Sequence, residues 1–434
     1  MTKKKVALYL TNRGCEGVDL SSPEDGNPGI GGTQYNFLTL PYYYTKYFDD
    51  VEFTFYAHIT DTLPKEFEAV RAESASDAAT KAKENECDIF VYRPTQDAEG
   101  FKFLIDLKDI KIKTIAWVHN TPFKQLSRMA RHPFLVRYIN VSNEQYDMLR
   151  DHPIIYKSDV ILNGFDPKHY SPKKEVIKEK TVVYMGSIVP GKGFHVLARV
   201  WKKVLEQVPD AKLEVIGTGQ LYNRNSRLGK WGIADENYEA QFVPFLCDEC
   251  GHLLKNITFH GVLGKEKIPI IQRALVGCPN PSGVTENCPG VAIEFQACGT
   301  AVVSGAFWGL LDTVDDGKTG LLGTSDRNLI DNIVFLLKNE KEARTLGQNG
   351  IEFITRKFDH QKICGFWHRV FLDSLRNENV SVLPLGQNLN FEYKMYSEKL
   401  RLLKVRYRVF NLIPSYMFLR PYHRKLKKLF GFKL

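Results

Sequence analysis

The sequence predicts an α/β protein of two doubly wound parallel-sheet domains followed by a basic helical tail. Three observations carry that expectation. Short apolar runs alternate with polar, helix-compatible segments through the first part of the chain. The same alternation resumes after a charged stretch, and the last part then changes composition. Strands separated by helices in this way pair in parallel, with helices on both faces. These shifts divide the chain into a first domain at 1–170, a linker at 171–180, a second domain at 181–376 and a tail at 377–434.

In order, residues 5–10 read as the first strand, followed by a long glycine-rich loop to Gly31 and Gly32 and a helix from Thr33. Glycine there lets a backbone approach a ligand, although a simple turn would look the same. A dinucleotide fingerprint would need a third glycine where Gln34 stands, which disfavours NAD. Further strands are expected at 51–56, 88–92, 114–118 and 139–141, with helices such as 74–85 and 143–150 between them. His119 follows directly on the strand at 114–118, at the carboxyl end where open α/β sheets bind ligands, though a lone histidine is more often structural. Residues 171–180 (SPKKEVIKEK) are polar and charged with no apolar face, hence the linker.

The second domain opens with a strand at 181–185 and the loop from Gly186 to Gly193, which carries Ser187 and Lys192. A helix follows, with Phe194, Leu197, Val200, Trp201, Val204 and Leu205 at helical spacing. A lysine at a strand end near a helix start can neutralise phosphate, while a solvated surface lysine is the ordinary alternative. Next come a strand at 212–216 with the turn at Gly217, an irregular stretch at 220–256, and a strand at 257–262 ending at Val262. Helices are expected at 266–275, 326–338 and 340–353.

Between strands at 275–280 and 300–304 lies the stretch that organises the second domain, with Glu286 and Glu294 on either side of Pro289 and Gly290. Proline suits the first position of a helix, because its missing N–H would be unpaired there. Glu286 then sits just before the helix and Glu294 inside it, with the amides of Gly290 and Val291 at the positive end of the dipole. Such an end receives phosphate. A phosphate seat with a carboxylate on either side suits a nucleotide-sugar; a helix flank and a solvated face are the plainer readings of two glutamates.

Bulk properties bound the class. The 434 residues suffice for two or three domains, and a hydrophobic content of 43% is that of a globular protein. No apolar run reaches the length of a membrane span, and MTKKKVALYLTNRG does not read as a signal peptide. The eight cysteines are scattered, several within apolar runs, as expected for reduced buried thiols. Cys247 and Cys250 form a single CxxC with His252 nearby, a weak metal or redox signal without a second pair. The net charge of +9 comes from residues 398–434, which hold eleven Lys and Arg and one Glu among alternating apolar residues, the rest of the chain summing to −1. That composition fits an anionic membrane surface, or a terminal helix packed on the body with a solvated basic face. No nucleic-acid module accompanies the charge.

The stretch around Glu286 and Glu294 resembles the E-x7-E signature of the retaining glycosyltransferases of family 4, which have the GT-B fold. The likeness continues through Ala297, Gly299, Val302 and Val303 into Asp316, Gly317 and Gly320, and covers roughly residues 1–376. It departs where the family often has Gly (Pro289), usually Ala (Phe295), and Arg before the K-G pair (Ser187). The resemblance implies two Rossmann-like domains facing across a cleft that holds the donor. It implies that Gly31 and Gly32 face the diphosphate and sugar, that His119 lies near the sugar, and that Asn163, Gly164, Phe165 and Asp166 form the turn before the domain connection. It also puts Gly186, Ser187, Lys192 and Gly193 at the diphosphate, Gly217 in a strand-G-x-G turn, and Val262 at the base. Glu286 would orient the sugar's hydroxyls, Glu294 would bind the ribose diol, and Gly290 and Val291 with Lys192 would stabilise the leaving diphosphate.

The expected function is therefore retaining transfer of a sugar from a UDP- or GDP-linked donor to a saccharide or lipid-linked saccharide acceptor, in cell-surface polysaccharide or glycolipid synthesis. No separate cofactor is expected. Nor is a metal, since a helix tip and a lysine already supply positive charge. The expected location is cytoplasmic, peripheral on the inner face of the membrane. A GT-B nucleotide-sugar epimerase and a non-catalytic partner subunit of a transferase complex are the rival readings.

Overall fold

The computed structural model describes residues 3–172, 174–220, 226–376 and 378–429, with residues 421 and 424–429 described by their backbone alone. By contact the chain forms two units. One comprises Met1–Ser21, Asn36–Leu162 and Gln361–Leu434, and the other Ser22–Tyr35 and Asn163–His360.

The first unit is built on seven parallel strands: β1 (Lys4–Leu10), β2 (Val51–Ala57), β3 (Glu68–Arg71), β4 (Ile89–Tyr92), β5 (Lys113–Val118), β6 (Leu135–Asn140) and β7 (Ser158–Val160). Their order is β3-β2-β1-β4-β5-β6-β7. The central strands are apolar on both faces because helices cover both, so β4 is buried at every residue. The second unit repeats the plan with β8 (Glu179–Met185), β9 (Lys212–Ile216), β10 (Ile257–Gly261), β11 (Ala274–Gly277), β12 (Ala301–Gly305) and β13 (Gly320–Gly323), in the order β10-β9-β8-β11-β12-β13. Both sheets thus reverse direction beside their first strand, between β1 and β4 and between β8 and β11. Two such Rossmann-like domains with a helical tail are consistent with the GT-B architecture.

The helix Phe194–Gln207 shows why the second core forms where it does. Phe194, Leu197, Ala198, Val200, Trp201 and Val204 recur at helical spacing, and all of them are buried. Short edge strands at β3, β7 and β13 lie outside the sequence expectations, and the stretch expected to be irregular contains the helix Glu236–Leu246. Residues 221–225 of that stretch lie outside the described residues, as do residues 430–434 of the tail.

The grouping into units differs from the linear division drawn above. The loop Ser22–Tyr35 joins the second unit. The helix His360–Arg376, placed by sequence in the second domain, packs from Gln361 onward with the first, where Trp367 meets Trp117 with ring centroids 4.8 Å apart. The stretch 171–180 is also more than a polar connector. Lys178 Nζ donates to the carbonyls of Ala274 (3.0 Å) and Gly299 (2.9 Å), and β8 already begins at Glu179. A lysine stem can lie along a buried surface while its ammonium finds carbonyls, which composition alone does not reveal.

Candidate active site

Ligands in open α/β sheets bind at the carboxyl ends of the strands where strand order reverses. In the second unit that point lies between the loops leaving β8 and β11. The β8 loop closes with a single turn, Pro190–Lys192, and Gly193 then enters the helix Phe194–Gln207. Gly193 has φ +66°, and a Cβ there would sit 2.7 Å from Ser282 Oγ and 2.8 Å from Asn280 Oδ1, so only glycine lets the two loops come this close. The β11 loop returns through Asn280 to Glu286.

The two loops meet through Lys192 Nζ and Glu286 Oε1, 2.7 Å apart. Glu286 is buried, at 8% exposure, and Asn280 Nδ2 donates to the same carboxylate oxygen at 2.9 Å. Asn280 Nδ2 also lies 3.1 Å from the Gly191 carbonyl and 2.8 Å from that of Val284, so one amide ties both loops together. A sheltered, hydrogen-bonded pair of this kind holds its geometry better than an exposed one.

The next helix is Gly290–Ala297. It begins one residue later than the sequence suggests: Pro289 precedes it with extended ψ and its carbonyl accepts from Ala292 N–H at 3.1 Å. Its N-cap residue, Pro289, offers no side-chain capping bond. Gly290 is exposed, and a Cβ placed on it would meet nothing within 4 Å. The amides of Gly290 and Val291 thus stand at the positive end of the helix, four and five residues after the Lys192 partner Glu286. Glu294, a turn further in, is paired with Lys267 at 2.6 Å. Lys267 Nζ lies 5.9 Å from the centre of the Tyr170 ring. Burial, and after it the charge of Glu294, pushes the phenols of Tyr35 and Tyr170 well above their ordinary value.

Phe295, where the resembled family usually has alanine, is accommodated by a compensating absence. It is fully buried, and a Cβ on Gly277 would fall 2.4 Å from its ring. Burial pushes the Cys288 thiol up to about 12 and those of Cys278 and Cys298 up further, so all three stay protonated near neutrality.

The remaining sequence candidates fall into three places. Gly186, Ser187, Gly217 and Val262 lie at or just past the ends of β8, β9 and β10. Gly217 has φ +136°, and a Cβ on it would come 1.9 Å from the Gly186 carbonyl oxygen, so these two glycines lock strand ends together. Ser187 is buried and its hydroxyl turns inward to the Thr218 carbonyl at 3.4 Å, offering no cation in place of the arginine. Val262 is 56% exposed, leaving its backbone and side chain accessible. Gly31 and Gly32 lie at the end of the Ser22–Tyr35 loop that groups with the second unit, Gly32 as the first residue of the helix Gly32–Tyr47. His119 belongs to the first unit, buried just beyond β5 against Trp117 and Phe37, with ring centroids 5.1 and 6.3 Å away.

Sequence reasoning missed Asn280, Lys267 and Tyr170. Asn280, flanked by prolines at a strand end, carried a turn signal; Lys267, in a run of charged residues, carried none. The two cysteines of the CxxC differ in exposure: Cys247 is buried, while Cys250 is exposed with Asp248 and His252, the ligand atoms of these three within 4.8 Å of one another. Asp248 Oδ1 there already accepts the amides of Cys250 and His252, both at 2.9 Å.

Residues 168–353, which contain this whole constellation in the second unit from β8 onward, match the family described as glycosyl transferases group 1. Over that span the chain is similar to the group 1 glycosyltransferases. Among curated proteins it is 25% identical over 284 residues to a D-inositol 3-phosphate glycosyltransferase of Corynebacterium glutamicum, covering 60% of this chain and 63% of that protein. It is 34% identical over 175 residues to a protein of the same description from Mycobacterium sp. strain KMS, covering 38% of this chain and 35% of the relative. The chain thus spans less than two thirds of the length of these two relatives. Among solved structures, the sucrose-phosphate synthase of Thermosynechococcus elongatus superposes with a TM-score of 0.64 at 17% identity, covering 87% of this chain and all of that one. Anabaena HepE in complex with UDP superposes with a TM-score of 0.60 at 16% identity, covering 85% of this chain and all of that one. At these identities the likeness is one of fold.

Proposed function

We propose that this protein is a retaining, metal-independent glycosyltransferase that takes a sugar from a nucleotide-diphosphate donor, with UDP first among the bases. The observation that carries this reading is the meeting of Lys192 and Glu286 at the strand-order reversal, beside an exposed helix start at Gly290. A diphosphate at the helix tip would share Lys192 with Glu286. As the bond between the anomeric carbon and the diphosphate breaks, charge grows on the departing oxygen, where the ammonium and the Gly290 and Val291 amides are already oriented. Glu286, relieved of part of that pairing, can accept hydrogen bonds from the donor sugar. Glu294, held by Lys267, is placed to accept from the ribose diol. The acceptor hydroxyl forms the new bond on the face the diphosphate leaves, keeping the anomeric configuration, and its proton passes to the departing diphosphate oxygen. A saccharide or lipid-linked saccharide is the acceptor class.

The burial of Ser187 where the family has arginine favours one second reading, a non-catalytic subunit that docks beside an active transferase. A panel of UDP-, GDP- and ADP-sugars separates the two. A donor that binds the native state raises the melting temperature. Slow hydrolysis of that donor to free sugar and nucleotide diphosphate is the expected result. No shift with any donor, and no hydrolysis, would support the subunit reading. Conversion of the donor to its epimer without acceptor would overturn transfer altogether.

A further inference from the structure

We propose that residues 402–413, the last turn of the first tail helix and the turn that follows it, are a docking surface for an anionic lipid bilayer. This goes beyond the reading of the active site and does not depend on it. The tail is a fixed platform on the first unit. In the helix Phe391–Arg406, Lys394 is buried against Glu144 and lies 2.8 Å from Asp147. Asp147 also accepts from Arg150 Nε at 2.7 Å. Past the turn, at the start of the helix Tyr416–Leu429, Asp151 accepts from Ser415 Oγ (2.7 Å), the Tyr416 amide (2.9 Å) and Lys404 Nζ (3.0 Å). The buried face of the tail is thus pinned by charges that have partners, and a charge left unpartnered there would be costly.

The part between those anchors is the reverse. Leu402, Leu403, Val405, Tyr407, Val409, Leu412 and Ile413 are all exposed, Val409 at 66% and Leu412 at 84%. The turn Arg408–Leu412 folds them into one knuckle: Tyr407 N–H donates to the Leu403 carbonyl at 2.8 Å, and Ile413 N–H to that of Phe410 at 3.0 Å. Water gains nothing from this much aliphatic surface, which marks an interaction site. Among the cations beside it, Lys399, Arg406 and Arg408 are exposed and make no ion pair among the described residues. No Asp or Glu follows Glu398 in the sequence. A second copy meeting this face would bring a basic, acid-free segment against another. Nucleic acid would take the arginines but leave the leucines in water. An anionic bilayer answers both, with apolar side chains entering the interface and guanidiniums at the head groups.

The test is flotation of the full chain with vesicles of phosphatidylcholine, with and without phosphatidylglycerol. Association with the anionic vesicles only, weakening as salt is raised, is expected. Arg406→Glu with Arg408→Glu, and separately Val409→Asp with Leu412→Asp, should each lower that association about tenfold or more, since each basic residue near the surface is worth about fivefold. Both pairs are exposed, so the melting temperature and the nucleotide-induced shift should stay unchanged. The proposal is overturned if neutral vesicles bind as well as anionic ones, if neither variant weakens binding, or if the chain ignores vesicles and Leu412→Asp merely turns a dimer into a monomer.

Discussion

In both sheets a helix starts beyond the strand that flanks the order reversal, at Ala98 after β4 and at Gly290 after β11, yet the two starts are built differently. Asp97 caps the first: its carboxylate accepts Gly100 N–H at 2.9 Å, and this bond foremost holds its carboxyl below the usual range. The positive end of that helix is answered from within the chain. At Gly290 the N-cap is Pro289, which makes no capping bond, and the nearest carboxylate upstream, Glu286, is turned to Lys192. The neighbouring helix from Phe194 has its own answer, since the Tyr238 hydroxyl lies 3.3 Å from the His195 amide. Two domains of one topology thus differ in whether the dipole at the reversal point is satisfied or left available. The first domain spends its buried charge on holding the tail, and the second leaves its charge where a ligand can use it.

The largest test of that contrast is Lys192→Ala. It should lower the turnover number of sugar transfer about a hundredfold or more, as loss of one preorganised donor to a developing charge typically does. It should also lower the melting temperature, since buried Glu286 loses its cation. Glu294→Ala should act on donor affinity instead, about tenfold, because it removes a charged acceptor and leaves Lys267 unpaired; calorimetric titration with the nucleotide reads it. Acid should act on the first domain. Burial lowers the His152 pKa to about 4, so between its ordinary value and pH 4 the unfolded chain binds the extra proton and the native state does not. Stability therefore falls as pH drops through that window, by on the order of 1–3 kcal/mol, and denaturant melts of His152→Gln should show a shallower fall. Smallest is Asp97→Ala, which should cost about 1 kcal/mol of stability, seen in the same melts, and leave donor binding untouched.

Much of this was legible in the chain. The alternation of elements gave both sheets, and proline followed by glycine gave the helix start to within one residue. What escaped has physical causes. β3, β7 and β13 are short edge strands, with too few residues for a period to show. Lys267 and Glu294 are far apart in sequence, and nothing local in a charged run marks one lysine as a partner. The helix from His360 reads as a continuation of its domain, and only the packing of Trp367 on Trp117 assigns it to the other. Ser187 read as a missing cation; the structure adds that its hydroxyl faces inward, so no substitute stands at that position.

The most direct measurement is the affinity of the preferred nucleotide for Gly290→Asp beside Gly290→Ala. Space is open at this position and its backbone is not left-handed, so both side chains fit, and either should hold or raise the melting temperature. Alanine should leave the dissociation constant near that of the unmodified protein, while aspartate, occupying the dipole with its own charge, should raise it about tenfold or more. Equal affinity in the aspartate variant would mean that the diphosphate does not sit at this helix.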